Sequence, residues 1–275
     1  MNTPVISFEF SAPRDEQARN KVLTVRDKLS ELDAAFFSIT YGAGGSTRDG
    51  TLQTALALAS TGTNTAPHLS FGGDDEVFIR DLLAQYQAAG IDRIVALRGD
   101  VPSGTGPGTH IYADELVTFI RQESGDHFHI EVAAYPEVHP DSKSPQSDLD
   151  YFKQKVDAGA DSAITQYFYN ADAYFHYVDS AAALGVDIPI VPGIMPITNV
   201  DTLIRFSDKC GADIPRWIKQ QLIEYRGDKA SLQSFATDLV TSLCHRLLEG
   251  GAPGLHFYTL NQSLPTLRIF RQLSL

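Results

Sequence analysis

The chain has 275 residues, with 34 Asp and Glu against 22 Lys and Arg, a formal net charge of −12. That surplus excludes a broad nucleic-acid or anionic-membrane surface, because phosphate binding needs clustered cations. Hydrophobic residues make up 43%, with ordinary Gly and Pro counts and two cysteines, which excludes disorder and a disulfide framework.

Short β-rich runs alternate with longer amphipathic stretches. The runs begin at Val5 (VISFEF), Ala35 (AFFSIT), Thr65 (TAPHLSF), Arg93 (RIVALRGD), His129 (HIEVAAY), Ser162 (SAITQYF), Ile188 (IPIVPGI) and Gly254 (GLHFYTL). Helices are expected between them, for example from Asp74 to Ala89 and from Asp148 to Ala158. Asp148 is read as the N-cap of the latter, and Gly159 and Gly185 sit where C-terminal glycines belong. The last gap is longer and holds three helical patterns, Asn199 to Gly211, Pro215 to Tyr225 and Ala230 to Gly250. The stretch Pro102-Ser-Gly-Thr-Gly-Pro-Gly108 reads as a loop after the fourth strand.

Eight βα units in one uninterrupted chain predict a TIM-type (β/α)8 barrel, one domain over residues 1–275. A doubly wound open sheet gives the same alternation. The barrel is favoured because polar residues end nearly every strand: Glu9, Thr40, His68, Arg98, Tyr135, Gln166 and Tyr258. In a barrel those ends converge on one mouth, where active sites are built. Met1-Asn2-Thr3-Pro4 lacks a signal-peptide pattern, and no apolar run reaches the ~18 residues of a membrane span. A cytoplasmic enzyme is expected.

No Gly-x-Gly-x-x-Gly, P-loop, Gly-x-Ser-x-Gly or Cys-x-x-Cys occurs. His127, His129 and Glu131 alternate on one strand face, but they lie at its start, away from the mouth. A polar rim is the expectation there, and no metal is assigned. Glu9 lies in the apolar run Ile6-Ser7-Phe8-Glu9-Phe10. Burial would raise its pKa and make it a general acid near neutral pH, or else it is held in a salt bridge. Arg98-Gly99-Asp100 offers a bidentate cation, close backbone approach and a negative charge, or a simple Arg–Asp turn. Tyr41-Gly42-Ala43-Gly44-Gly45-Ser46-Thr47 offers backbone N–H groups to a phosphate or flat ring, or is a plain loop. Lys155 on its helix reads as a solvated lysine or an anion ligand. Gln166 could read a heteroaromatic edge. Phe206, on an amphipathic helix, is core by default.

Nine segments together resemble the bacterial type of methylenetetrahydrofolate reductase. They are Phe8-Glu9-Phe10, Thr40-Tyr41-Gly42-Ala43, Ala66-Pro67-His68-Leu69, Ala96-Leu97-Arg98-Gly99-Asp100, Ala133-Ala134-Tyr135-Pro136-Glu137-Val138-His139-Pro140, Lys155-Val156-Asp157-Ala158-Gly159-Ala160, Ile164-Thr165-Gln166, Pro192-Gly193-Ile194 and His256-Phe257-Tyr258-Thr259-Leu260-Asn261. They occur in family order and cover almost the whole chain. Two features depart from the family. Ser11-Ala12 stands where relatives often carry two further residues of a Phe-Phe-Pro-Pro run. The C-terminal S-adenosylmethionine-binding regulatory domain of eukaryotic relatives is not expected.

The resemblance implies an FAD-containing barrel that reduces 5,10-methylenetetrahydrofolate to 5-methyltetrahydrofolate with NAD(P)H, supplying methyl groups for methionine synthesis. It implies Glu9 as proton donor and Asp100 beside the flavin and the folate ring. It assigns Gln166 and Phe206 to substrate, with Tyr258 in the same mouth. Thr40, His68, Arg98, Gly99, Asp100, Tyr135, His139, Asp148 and Lys155 would hold FAD. The expected course is ping-pong, the nicotinamide and the folate using one place in turn. A homo-oligomer is carried from the family only. The rival readings are another flavin barrel of the proline-dehydrogenase kind, a metal-dependent barrel lyase or aldolase, and a folate-binding assembly subunit without turnover.

Overall fold

The computed structural model describes residues 3–41, 45–71, 76–99 and 112–273. Asp100, Gly42 to Gly44 and the Pro102–Gly108 stretch lie outside them. The strands are β1 (Val5–Phe10), β2 (Phe36–Ile39), β3 (Thr65–Leu69), β4 (Arg93–Ala96), β5 (His129–Ala134), β6 (Ser162–Thr165), β7 (Ile190–Val191), β8 (Gly193–Ile194) and β9 (Gly254–Tyr258). The helices are α1 (Glu16–Leu29), α2 (Gly45–Ala59), α3 (Glu76–Ala88), α4 (Ala113–Ser124), α5 (Pro145–Asp157), α6 (Ala171–Ala183), α7 (Val200–Cys210), α8 (Arg216–Glu224), α9 (Lys229–Glu249) and α10 (Leu264–Leu273).

Every strand pairing is parallel, in the order β7-β6-β5-β4-β3-β2-β1-β9-β8. β7 and β8 are the two halves of one strand, broken at Pro192. β7 pairs with β6 and β8 with β9, so this one segment closes the sheet into an eight-position barrel. Pro192 has no N–H to donate, but its carbonyl accepts the His256 N–H at 3.0 Å across the closure.

Strand alternation sorts the side chains. In β1, Phe8 and Phe10 point outward to the helices: Phe8 packs on Phe37 and Phe270, and Phe10 stacks on Phe37 at 5.5 Å. Burying each such ring contributes about 1.5–3 kcal/mol. Ser7 and Glu9 therefore face the barrel interior. Register places Ser7 beside His256 and Glu9 beside Tyr258 and Ser38. The middle layer of the interior is apolar, with Phe36, Ala66, Val95 and Ile164 packed together.

At the N-terminal end of the barrel, Glu131 is paired with Arg93 and accepts from the Ser162 hydroxyl at 2.5 Å. His129 Nε2 meets Ser162 Oγ at 2.7 Å, and His127 Nε2 meets the Ile91 carbonyl at 3.1 Å. The His-x-His-x-Glu pattern is thus consumed by a polar rim.

Helix punctuation follows local chemistry. Asn199 caps α7 by accepting the Thr202 N–H at 2.8 Å, and Gly211 closes it with φ 75°. The expected cap at Asp148 is corrected: α5 starts earlier, at Pro145, and Ser144 caps it. A serine before proline supplies both the cap acceptor and the preset first helical residue, so it outcompetes Asp148. Asp148 lies a turn inside the helix, buried, and accepts from the Ser142 hydroxyl at 2.7 Å.

Candidate active site

Two adjoining sets of side chains occupy the C-terminal side of the barrel. The inner set surrounds Glu9. His68 from β3 places Nε2 at 3.3 Å from Glu9 Oε2, and His256 from β9 places Nε2 at 3.7 Å from the same oxygen. His256 is fully buried, and its Nδ1 shares a 2.7 Å hydrogen bond with the Ser7 hydroxyl. Neither Nε2 atom has a well-aligned hydrogen bond, although both lie beside the carboxylate. Tyr258 stands edge-on to His256 and donates its hydroxyl to the Thr165 carbonyl at 2.6 Å.

Of the two alternatives left open from sequence, the Glu9 carboxyl follows the paired one, not the raised acid. Burial alone raises its pKa, and this is the largest single effect. The charge of His68, polar contact with His256 and then His68, and the charge of His256 together outweigh it. The carboxyl is held at about 2, below its ordinary 4.5. Glu9 is therefore ionised whenever the imidazoles carry charge.

The outer set lines a cavity of about 1130 Å³. Arg98, Gly99, Tyr135, His139, Asp148 and Lys155 all border it. Arg98 reaches Asp141 at 3.4 Å and lies 5.6 Å over the Tyr112 ring. Tyr135 and His139 meet edge to face at 4.6 Å. Lys155 is half-buried and donates to the Ala133 carbonyl, so its reading as a solvated lysine fails. Burial pushes its ammonium down to about 8, with Asp148 and then Asp114 opposing.

Thr40, His68, Gln166, Phe206 and Tyr258 do not border that cavity. The Thr40 hydroxyl accepts the Ala12 N–H at 3.0 Å, while His68 and Tyr258 belong to the inner set. Gln166 ends β6 half-buried, its Oε1 accepting the Tyr167 N–H at 3.0 Å. Phe206 is not core: it is 40% exposed on α7. The buried stripe of that helix runs through Val200, Leu203 and Ser207, which turns Phe206 to the side.

Sequence reasoning left out Ser7 and His256 as site residues, although a signal existed: both share their strand's inward face with Glu9 and Tyr258. Tyr112 and Tyr151 were also missed. Their rings lie parallel at 6.4 Å, both about half exposed, on the cavity wall.

The family model for methylenetetrahydrofolate reductase matches residues 1–274. The chain belongs to the methylenetetrahydrofolate reductase family. It is 38% identical over 259 residues to the 5,10-methylenetetrahydrofolate reductase of Escherichia coli K12, covering 94% of this chain and 86% of that one. It is 36% identical over 284 residues to methylenetetrahydrofolate reductase (NADH) 1 of Arabidopsis thaliana, spanning 98% of this chain and 48% of the plant protein. Among solved structures, an uncharacterized Clostridium thermocellum protein that binds two copies of 5-methyl-5,6,7,8-tetrahydrofolic acid superposes with a TM-score of 0.70. That likeness, at 16% identity over 99% of this chain and 94% of the other, concerns the fold. For this reductase-family chain, no helix among the described residues is long and apolar enough to cross a membrane.

Proposed function

We propose that this member of the family reduces 5,10-methylenetetrahydrofolate to 5-methyltetrahydrofolate, with NAD(P)H as donor and FAD as the bound carrier. The observation that carries the reading is the Glu9 carboxylate, held inside the barrel by two titratable rings beside a cavity that Arg98, His139 and Lys155 border. A scaffold has no use for so costly an arrangement.

The residues present fit FAD. The cavity, about 1130 Å³, exceeds the ~300–1,000 Å³ usual for a small-ligand pocket, which leaves room for a dinucleotide. Arg98, His139 and Lys155 suit a diphosphate, and the parallel Tyr112 and Tyr151 rings suit an aromatic base. FAD would supply the hydride carrier between the two substrates. We assign Thr40, His68, Gly99, Tyr135, Asp148 and Asp100 to the same cofactor.

The chain's own part is proton delivery and charge. Opening the methylene bridge needs a proton on the folate nitrogen, leaving a cationic iminium. The Glu9–His68–His256 group holds that proton. Covering the mouth with substrate removes water from Glu9, and an ion pair without water is disfavoured against two neutral partners. The proton then passes from imidazole to Glu9, which faces the mouth and gives it to the nitrogen. Ser7 fixes the His256 ring for this exchange. We assign Asp100 to stabilise the iminium, Gln166 to the pterin edge, and Phe206 and Tyr258 to the ring faces of the substrate.

The test is an absorption spectrum of the purified protein, followed by anaerobic NADH and then methylenetetrahydrofolate. A yellow protein, bleached by the first and recoloured by the second, is expected. A colourless protein that takes up no FAD would overturn the reading.

A further inference from the structure

The segment after β5 touches two parts of the site. Tyr135 and His139 border the cavity. Glu137, between them, reaches the segment after α7, where its carboxylate accepts the Asp213 backbone N–H at 2.7 Å. The turn that aims it is strained: Val138 has φ 69°, a left-handed conformation that β-branched residues rarely adopt. Gly211 packs against the same turn so closely that a Cβ there would lie 2.9 Å from Pro140 Cγ. Just above, on α7, Ser207 Oγ and Cys210 Sγ meet the Tyr167 hydroxyl at 3.0 and 3.5 Å. The C-terminal end of α7 is thereby tied to the β5 turn and to the end of β6. The same helix exposes Phe206 and brings Lys209 to the cavity wall.

We infer that Glu137 is a positioning residue that clasps α7 onto the cofactor-side turn and so sets how tightly the folate is held. The inference rests on the folate-reductase reading.

The Glu137 carboxylate is half-buried, and its bond to the Asp213 N–H lies at the surface. Burial pushes Glu137 up to about 7, the Asp213 N–H opposes that, and the Asp213 charge adds to it. The strained turn stores its cost where the side chain is aimed, which is the pattern of a functional constraint. The titratable groups facing Glu137 are Asp213 and Tyr167, with Cys210 beside Tyr167. Ionised Glu137 accepts the Asp213 N–H more strongly than the protonated acid does. The clasp therefore tightens as pH rises through neutrality and loosens below it.

The experiment compares the FAD-loaded wild type with Glu137→Ala and Glu137→Gln. It reads steady-state kinetics from pH about 6 to about 8, Tm, and amide hydrogen exchange over residues 200–215. Glu137→Ala should raise the KM for methylenetetrahydrofolate about fivefold, with kcat within about twofold, the size of one net hydrogen bond. Glu137→Gln keeps an acceptor oxygen, so its KM should stay near the low-pH wild-type value at every pH. An Ala variant with unchanged KM, or a Gln variant whose KM matches that of the wild type at pH about 8, would overturn the role. If the Ala variant does not fold, the Gln profile decides. Hydrogen exchange reads the clasp without turnover: faster exchange at the end of α7 in Ala supports it, and unchanged exchange refutes it. Absent wild-type turnover would count against the reductase reading alone.

Discussion

Replacing Glu9 with Gln tests the inner cluster directly. Glutamine mimics the protonated acid, so the change removes the ionised form and little else. The drop of the Glu9 carboxyl from 4.5 to about 2 corresponds to roughly 3 kcal/mol, at about 1.4 kcal/mol per pH unit. The side chain is only 17% exposed, so water screens this little. At pH about 5, below the ordinary imidazole range, Glu9→Gln should therefore lower stability by up to roughly 3 kcal/mol, or about 10 °C in Tm for a chain of this size. The folded carboxyl titrates below the unfolded one. Its stabilisation is complete above pH ~4.5 and is lost as pH falls toward ~2. The gap between wild type and variant should close over that window. Thermal melts across pH give the first readout. Anaerobic half-reactions give the second: bleaching by NAD(P)H should persist, while reoxidation by the folate should be lost. A variant more stable than wild type at pH about 5 would refute the ionised cluster and restore the raised carboxyl, the other alternative open from sequence. Equal loss of both half-reactions would refute the acid role.

Three further outcomes follow from other contacts. Arg98→Ala should weaken FAD binding at least about tenfold by titration, the scale of one charge-assisted contact; unchanged binding would leave Arg98 only its structural partners, Asp141 and Tyr112. Gly193→Ala would place a Cβ 2.2 Å from the Thr165 carbonyl and 2.6 Å from the Tyr258 ring. It should cost about 1–3 kcal/mol by overpacking, and an unchanged Tm would count against so tight a barrel closure. Arg93→Ala should cost about 3–5 kcal/mol in denaturant titrations, because Glu131 is left buried without its cation. Adding Glu131→Gln should recover part of that loss, and strict additivity would argue against the pair.

The barrel was legible because its strands declare themselves locally. All eight predicted runs became strand positions, since β-branched and aromatic residues between glycines leave few alternatives. The break at Pro192 was the exception: whether a proline inside an apolar run ends a strand or splits it depends on which carbonyls its neighbours must satisfy. The site was only half legible. Glu9 stood out as a charge in an apolar run, but the direction of its pKa did not. That direction is set by His68 and His256, which reach it from other strands. Lys155 reads as a surface lysine until the Ala133 carbonyl and Asp148 are seen beside it. Tyr112 precedes α4 and Tyr151 lies midway along α5, and nothing local announces that their rings run parallel.

Two buried glutamates at opposite ends of the barrel show what separates a reactive carboxylate from a structural one. Glu131 and Glu9 are both pulled below the ordinary carboxylate range against the penalty of burial, and both have histidine neighbours. Glu131 also has Arg93, whose guanidinium holds its charge throughout the accessible pH range, and a hydroxyl at 2.5 Å. That carboxylate keeps one permanent cation, Arg93, whatever the protonation of His129 beside it. Glu9 has no arginine or lysine against it among the described residues, and its two ring partners stand at 3.3 and 3.7 Å. Imidazoles exchange protons near neutrality, and loosely aligned ones can release the carboxylate when water is displaced. The low pKa of Glu9 is thus conditional where that of Glu131 is fixed. The proposed donor role requires that Glu9 be ionised in the open site and protonated in the covered one. The same contrast explains why Glu9 is left partly exposed at the mouth while Glu131 is sealed beneath the apolar layer.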